Sequence, residues 1–168
     1  MCPWETERLR FDYLTLDDAR LTLELLNEPE YIRNIADKGV RDIAGAQAYL
    51  RDGALASYAK HGHGLYKVML KDSGEAIGMC GLIRRDILED PDLGYAYLQR
   101  HHGKGYASEA GAAVLEHGRR QLHIGRVVAI TTPQNTGSIR VLEKLGFRYE
   151  CERSLFADRI SSYFICDP

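Results

Sequence analysis

Tyr95-Ala96-Tyr97-Leu98-Gln99-Arg100-His101-His102-Gly103-Lys104-Gly105-Tyr106-Ala107-Ser108 reads as a strand end, a loop with two glycines and a helix start. Glycine lets a backbone approach a ligand closely and adopt positive φ. The first amides of a helix have no carbonyl partner and sit at the positive end of its dipole. A glycine loop feeding such an end is an anion site, and a pyrophosphate fits it. Lys104 and Arg100 add positive charge, and the Ser108 hydroxyl offers a further donor. A tight βα turn using its glycines for geometry alone has the same pattern. The stretch is not a P-loop, because no Gly-Lys-Ser/Thr follows at the right spacing. Nor is it a dinucleotide fingerprint, because Ser108 stands where a third glycine belongs.

Upstream of this loop the chain reads as strands and helices. Thr6 to Leu14 alternates Leu9, Phe11 and Tyr13 with charged residues, as a half-buried strand does. Thr15 caps a helix carrying Leu16, Leu23 and Leu26, with Asp17 and Asp18 in its first turn. Pro29 starts a short second helix with Tyr31 and Ile35. Asp42 caps a third through Ala48, Leu50, Leu55 and Tyr58, weakened by Gly53. Residues 61–64 form a loop. Leu65 to Leu70, Ala76 to Ile83 and Asp92 to Leu98 make a meander of strands. Its link from Arg84 to Pro91 is charged and expected to be exposed.

Downstream, Ala107, Ala110, Gly111, Val114, Leu115 and Leu122 recur at helical spacing. Arg126 to Thr132 is a β-branched run suited to a strand buried on both faces. A helix through Ile139, Leu142 and Leu145 ends at Gly146, and strands from Phe147 and from Ile160 to Ile165 close the chain. The class is α+β: a single mixed, mostly antiparallel sheet flanked by helices, with a central β–loop–helix–β unit, in one domain spanning residues 1–168.

Composition narrows the function. A chain of 168 residues suits one domain with a real core. The net charge of −2 supplies no basic field to recruit nucleic acid or an anionic membrane. No apolar run approaches the roughly 20 residues of a membrane span, and no secretory signal is visible, so a cytoplasmic location is expected. The four cysteines, Cys2, Cys80, Cys151 and Cys166, are scattered and read as reduced thiols. The pairs His61/His63 and His101/His102 lack a supporting ligand set, so no metal is expected. His117 and His123 read as surface residues.

Arg100-His101-His102-Gly103-Lys104-Gly105 resembles the [QR]-x-x-G-x-[GA] acetyl-CoA signature of the GNAT N-acetyltransferases. Lys104 to Ala110, Lys-Gly-Tyr-Ala-Ser-Glu-Ala, is similar to the version in the RimJ/RimL-like branch. Ile77-Gly78, Asp92-Leu93-Gly94-Tyr95 and the run from Asn135 and Ser138 to Gly146-Phe147 also match that branch. The resemblance runs from about Thr6 to Arg153.

The resemblance implies acetyl-CoA as co-substrate. Pyrophosphate would lie on Arg100, Gly103, Lys104, Gly105, Tyr106, Ala107 and Ser108. Tyr97, Leu98 and Gln99 would pair with the pantetheine arm where their strand splays from its neighbour, often through a bulge. An amide near Tyr97 or Leu98 would hold the oxyanion. Asn135 and Ser138 would face the pantetheine and thiol, although either also reads as part of a helix cap.

Many family members place a tyrosine acid where this chain has Leu142, which leaves Ser138 as the substitute. Asp92 is the motif-matched acid for a general base, and also reads as a solvated strand-end carboxylate. Tyr95 is a candidate water-mediated relay, or core. His102 stands where the branch often has tryptophan.

Cys80 has no base in view, so direct attack by an amine in a ternary complex is preferred to an acyl-enzyme. The acceptor is a protein N-terminal α-amine or a small-molecule amine. An α-amine ordinarily titrates at about 7.7–8.0 and a lysine side chain at about 10.4, so the α-amine is readier to attack. A non-catalytic acyl-CoA sensor is the alternative. Monomer and homodimer both remain open.

Overall fold

Thr6 turns the expected first strand into a hairpin. Its amide and hydroxyl both bond to the Leu9 carbonyl, at 2.8 and 3.4 Å. The computed structural model describes residues 4–168, and in it β1 (Trp4–Glu5) folds back on β2 (Leu9–Tyr13), with Trp4 opposite Phe11. Thr15 and Asp18 form a reciprocal capping box ahead of α1 (Ala19–Leu26), and α2 (Pro29–Asn34) follows with proline in its first turn. Asp42 caps α3 (Ile43–Leu50) by accepting from the Gly45 amide. The long third helix is interrupted. One π turn over Arg51–Leu55 carries Gly53, and α4 (Ala56–His61) continues beyond it. Gly53 has the lowest helix propensity short of proline, so the ladder gives way there.

The sheet adds β3 (Leu65–Leu70), β4 (Ala76–Ile83), β5 (Asp92–Tyr97), β6 (Val127–Thr131), β7 (Arg148–Phe156) and β8 (Arg159–Cys166). Its order is β1-β2-β3-β4-β5-β6-β8-β7, and every pairing is antiparallel except β5 with β6. The parallel step is the crossover through α5 (Tyr106–Gln121). The helix α6 (Thr136–Lys144) then leads to β7. Its end is a Schellman turn: Gly146, at φ +91°, donates to the Glu143 carbonyl and Phe147 to that of Leu142.

Two buried clusters flank the sheet. Phe11, Cys80, Leu82 and Leu93 meet Val114 and Leu115 of α5 and Leu142 of α6. Met79 and Leu98 meet Leu25 of α1 and Ala46 and Leu50 of α3. Met79 and Cys80 are neighbours on β4, so the two helix pairs cover opposite faces. Each Leu, Val, Phe or Met among them taken out of water contributes about 1.5–3 kcal/mol.

Two expectations change. The link from Arg84 to Pro91 is not wholly exposed, because Leu88 is buried against Val128, Tyr163 and Ile165. His117 is half-buried and stacks on Trp4, with ring centroids 4.2 Å apart. Among the described residues, no helix is long and apolar enough to cross a membrane. No group of three or more His, Cys, Asp or Glu among them is placed to hold a metal ion.

Gly78 fixes where Tyr97 sits. A Cβ there would lie 2.3 Å from the Ala96 carbonyl oxygen and 2.6 Å from the Tyr97 ring. Gly78→Ala is therefore expected to cost about 1–3 kcal/mol, because β4 and β5 must part to admit a methyl group. Thermal unfolding checks this, and an unchanged midpoint would refute the close approach.

Candidate active site

The glycine loop is built as a row of free donors. After a 3₁₀ turn over Gln99–His101, Gly103 and Gly105 take φ of +73° and +82°. Nothing lies within 4 Å of a Cβ built at Gly103, so its left-handed backbone is the constraint there. Among the described residues, none of the amides of Gly103, Lys104, Gly105, Tyr106, Ala107 and Ser108 meets a carbonyl. The next bonded amide, that of Glu109, reaches the Gly105 carbonyl at 3.1 Å. Six successive free amides at the head of a sixteen-residue helix fit a pyrophosphate.

Arg8 holds this loop in shape. Its Nε donates to Glu109 at 2.6 Å, its Nη1 donates to the Lys104 carbonyl at 2.9 Å, and its guanidinium lies over the Tyr106 ring at 4.6 Å. Glu109 also accepts from the Thr6 hydroxyl and the Arg8 amide, at 2.7 and 2.9 Å. Burial alone would raise the Glu109 carboxyl, but these bonds outweigh it and hold it below the ordinary value. The Arg100 side chain turns away from the amides. It bridges Glu24 and Glu75, at 2.6 and 3.1 Å.

Strands β5 and β6 part just behind the loop. They pair only at Asp92 with Val128, where the Val128 amide donates to the Pro91 carbonyl at 2.9 Å. On the other edge β5 keeps one register with β4, from Ile83–Asp92 to Gly78–Tyr97. The gap therefore opens without a bulge on β5. The Leu98 amide is spent on the Ile77 carbonyl at 2.9 Å, so by ladder alternation the Tyr97 amide and carbonyl face the gap. His102 reaches the same place, its Nε2 donating to the Tyr97 carbonyl at 2.8 Å. The Gln99 amide donates to Glu28 at 3.1 Å.

Across the gap stands the start of α6. The Asn135 side chain accepts from the Ser138 amide at 3.2 Å, which caps the helix. The Ser138 hydroxyl lies 2.7 Å from that of Tyr95. Burial, partly offset by this bond, pushes the Tyr95 phenol up to about 12, so it stays protonated at neutral pH. Leu142 lies in the core, 1% exposed. Burial pushes the Cys80 thiol up to about 12, which keeps it a poor nucleophile.

A cavity of about 600 Å³ runs from this point to the α2–α3 side of the sheet. Tyr95, Asn135 and Ser138 line it, as do Tyr31, Tyr49 and Asp92. Asp92 is not a solvated strand-end carboxylate. It is 1% exposed, and Arg85 Nε donates to it at 3.0 Å.

The family model for the acetyltransferase (GNAT) domain matches residues 8–148. The chain belongs to the GNAT acetyltransferase family. By family it is an acetyl-CoA-dependent N-acyltransferase. It is 31% identical over 147 residues to the Bacillus subtilis protein YkkB, covering 86% of this chain and 84% of that one. It is 30% identical over 149 residues to the N-acetyltransferase p20 of Bacillus licheniformis, covering 86% and 82%. Among solved structures, RimL, a ribosomal L7/L12 α-N-protein acetyltransferase in complex with coenzyme A, superposes with a TM-score of 0.85. That alignment covers 99% of this chain and 98% of RimL at 14% identity, and it shows a shared fold.

Motif spacing locates the GNAT loop, the gap and the α6 start. It does not find Arg8, whose link to Lys104 and Glu109 spans about a hundred residues, or Arg85. Only the alternating strand around Arg8 is visible in the sequence, and alternation does not say what a guanidinium touches. Tyr95 is visible as a relay candidate, but not its contact with Ser138.

Burial is the largest influence on Asp92, and it raises the carboxyl although Arg85 pulls it back. A raised folded-state value makes ionised Asp92 a cost to the fold. That cost is absent below the unfolded-chain value of about 3.9 and complete once pH has passed the folded-state value. Asp92→Asn is thus expected to match or exceed wild-type thermal stability at about pH 8, with any advantage shrinking toward pH 4. A clear loss of stability at about pH 8 would show instead that the bond to Arg85 carries the strand joint.

Proposed function

We propose that this GNAT chain transfers the acetyl group of acetyl-CoA to a primary amine, a protein N-terminal α-amine or a small-molecule amine, by direct attack in a ternary complex. The observation that carries this is the gap between β5 and β6, with free amides at one end and a hydroxyl pair at the other. The α-N-protein activity in the name of RimL supports an α-amine acceptor.

Acetyl-CoA supplies a thioester whose thiolate, with a pKa resembling the roughly 8.5 of cysteine, is a tolerable leaving group. The amides from Gly103 to Ser108 receive the pyrophosphate, and Lys104 adds charge. Arg100 contributes by bracing the turn, since Glu24 and Glu75 engage its guanidinium. Of the expected edge only the Tyr97 amide is open to the pantetheine arm, because the backbone groups of Leu98 and Gln99 are spent on Ile77, His101, Glu28 and His102, and Asn135 faces the arm from α6. The Tyr97 amide donates to the acetyl oxygen as negative charge gathers there.

Asp92, about 10 Å along β5 from the Tyr95–Ser138 pair, takes up through a chain of cavity waters the proton that the attacking amine gives up. Burial makes it a stronger base than a solvated carboxylate, and Arg85 fixes its position. As the new C–N bond forms and the C–S bond breaks, Ser138 donates to the departing sulfur. Tyr95, protonated and 2.7 Å away, donates to the Ser138 oxygen and so aims the Ser138 hydrogen at the sulfur, and CoA leaves as the thiolate, which takes its proton from solvent. The hydroxyl absent at Leu142 is thus provided from β5 and α6 together.

Release of CoA thiol from acetyl-CoA across N-terminal peptides, amino acids, polyamines and aminoglycosides tests the proposal. Wild type should release thiol in an amine-dependent way. Gly103→Glu, which puts bulk and negative charge into the amide row, should abolish acetyl-CoA binding. Ser138→Ala should lower kcat by about 10²-fold and Tyr95→Phe by less, with acetyl-CoA affinity kept in both. Tight acetyl-CoA binding with no release for any amine would favour a sensor, and absence of binding would sink the proposal.

A further inference from the structure

The lining of the cavity carries an excess of positive charge. Lys38, Lys60, Arg84, Arg85 and Arg159 line it, against two carboxylates, Asp52 and Asp92. The whole chain has a net charge of −2, so this excess is local. Three of the cations converge from separate segments: Lys38 from the α2–α3 connection, Arg85 from the β4–β5 link and Arg159 from the start of β8. Asp92 already holds Arg85 through its Nε. Neither Lys38 nor Arg159 makes an ion pair among the described residues. Arg159 instead lies over the Phe156 ring, 4.8 Å from its centroid.

These cations sense one another. Desolvation at the cavity mouth, followed by the Arg85 and Arg159 charges, lowers the Lys38 ammonium below its ordinary value. Like charges held together with too few counter-ions form an anion site, because a ligand's negative charge relieves a repulsion already present. Beside them, Tyr31 and Tyr49 supply hydroxyls and ring faces.

Position along the cavity says what else the ligand carries. Asp92 and Tyr95 are three residues apart on β5, about 10 Å at strand rise. Lys38 and Arg159 gather about Arg85, which is bonded to Asp92, and the Ser138–Tyr95 hydroxyls mark the transfer point. A ligand spanning that interval presents an amine at one end and an anion at the other. A volume of about 600 Å³, part of it needed for the thioester end, suits a small molecule.

We infer that the acceptor is a small amine bearing a carboxylate or phosphate, and that Lys38 and Arg159, with the free face of Arg85, bind that anion. This rests on the transferase reading above. The site predicts poor use of polycations, whose charge the mouth repels.

The test pairs each anionic amine with its neutral counterpart: amino acids with their carboxamides, and O-phosphoethanolamine with ethanolamine. Thiol release is measured for wild type and for Lys38→Gln, Arg159→Gln and the double variant. Anionic partners should exceed neutral ones in kcat/KM by about tenfold or more, and each substitution should raise KM for the anionic partner about tenfold. Neutral partners and acetyl-CoA affinity should be unaffected. Preference for carboxamides, ethanolamine or polyamines, or variants that leave the anionic KM unchanged, would overturn the inference.

Calorimetric titration of the same pairs into the CoA-saturated protein separates this from failure of the transferase reading. If no amine drives release but O-phosphoethanolamine binds wild type and not the double variant, the anion site stands and the transferase reading falls. If none of the anionic amines binds, the anion site falls whatever the release assay shows.

Discussion

One backbone pairing governs the functional half of this molecule: Asp92 on β5 with Val128 on β6. Parallel strands in an α/β layer usually stay bonded along their length. Here they touch once and diverge. Everything on the cofactor side follows from that divergence. It leaves the Tyr97 amide and carbonyl without a strand partner, and it opens a passage through the sheet. It also lets Tyr95 meet Ser138 on α6. The joint must therefore be firm, since any slip would close or widen the gap along its whole length. Leu88, Val128, Tyr163 and Ile165 pack around it, and the Val128 amide is bonded to the Pro91 carbonyl.

The same joint carries the buried carboxylate of Asp92. Placing a charge at a strand junction is costly for the fold, and one guanidinium only partly offsets it. Stability alone gives no reason to keep an acid there. Its position on the wall of the cavity that the hydroxyl pair also lines gives a functional one. Strain of this kind is expected where a site asks for chemistry that the core would not choose.

Local patterns in the chain carry the fold class, the strand and helix order after Leu65, the caps at Thr15, Asp42 and Asn135, and the Gly146 helix stop. Each of these depends on residues within a few positions of one another. The first hairpin escapes such patterns because Thr6 acts through a hydrogen bond back to Leu9 rather than through alternation. The break at Arg51–Leu55 leaves only Gly53 as a trace. Leu88 reads as exposed because its neighbours are charged, and Asp92 as solvated because strand ends usually are. The least legible features are the long-range polar ones: Arg8 with Glu109, Arg85 with Asp92, and the meeting of Lys38 with Arg159. Spacing encodes which face a residue occupies, not which distant side chain waits there.

Charge also ties the two ends of the site together. Glu24 at α1 and Glu75 before β4 grip Arg100, and Glu28 at the start of α2 takes the Gln99 amide. These contacts are largely exposed, and each contributes little to stability in water. Their effect is on position. The α1–α2 corner, which walls the acceptor cavity, is bonded to the same turn that delivers the glycine loop. A shift of that corner moves the amide row with it. Anion-seeking surfaces thus lie at both ends of one passage, while these acids are held on the outside of the turn. A phosphate-bearing co-substrate and an anionic acceptor would then enter from opposite faces of the sheet, kept apart by the strands and meeting only at the gap.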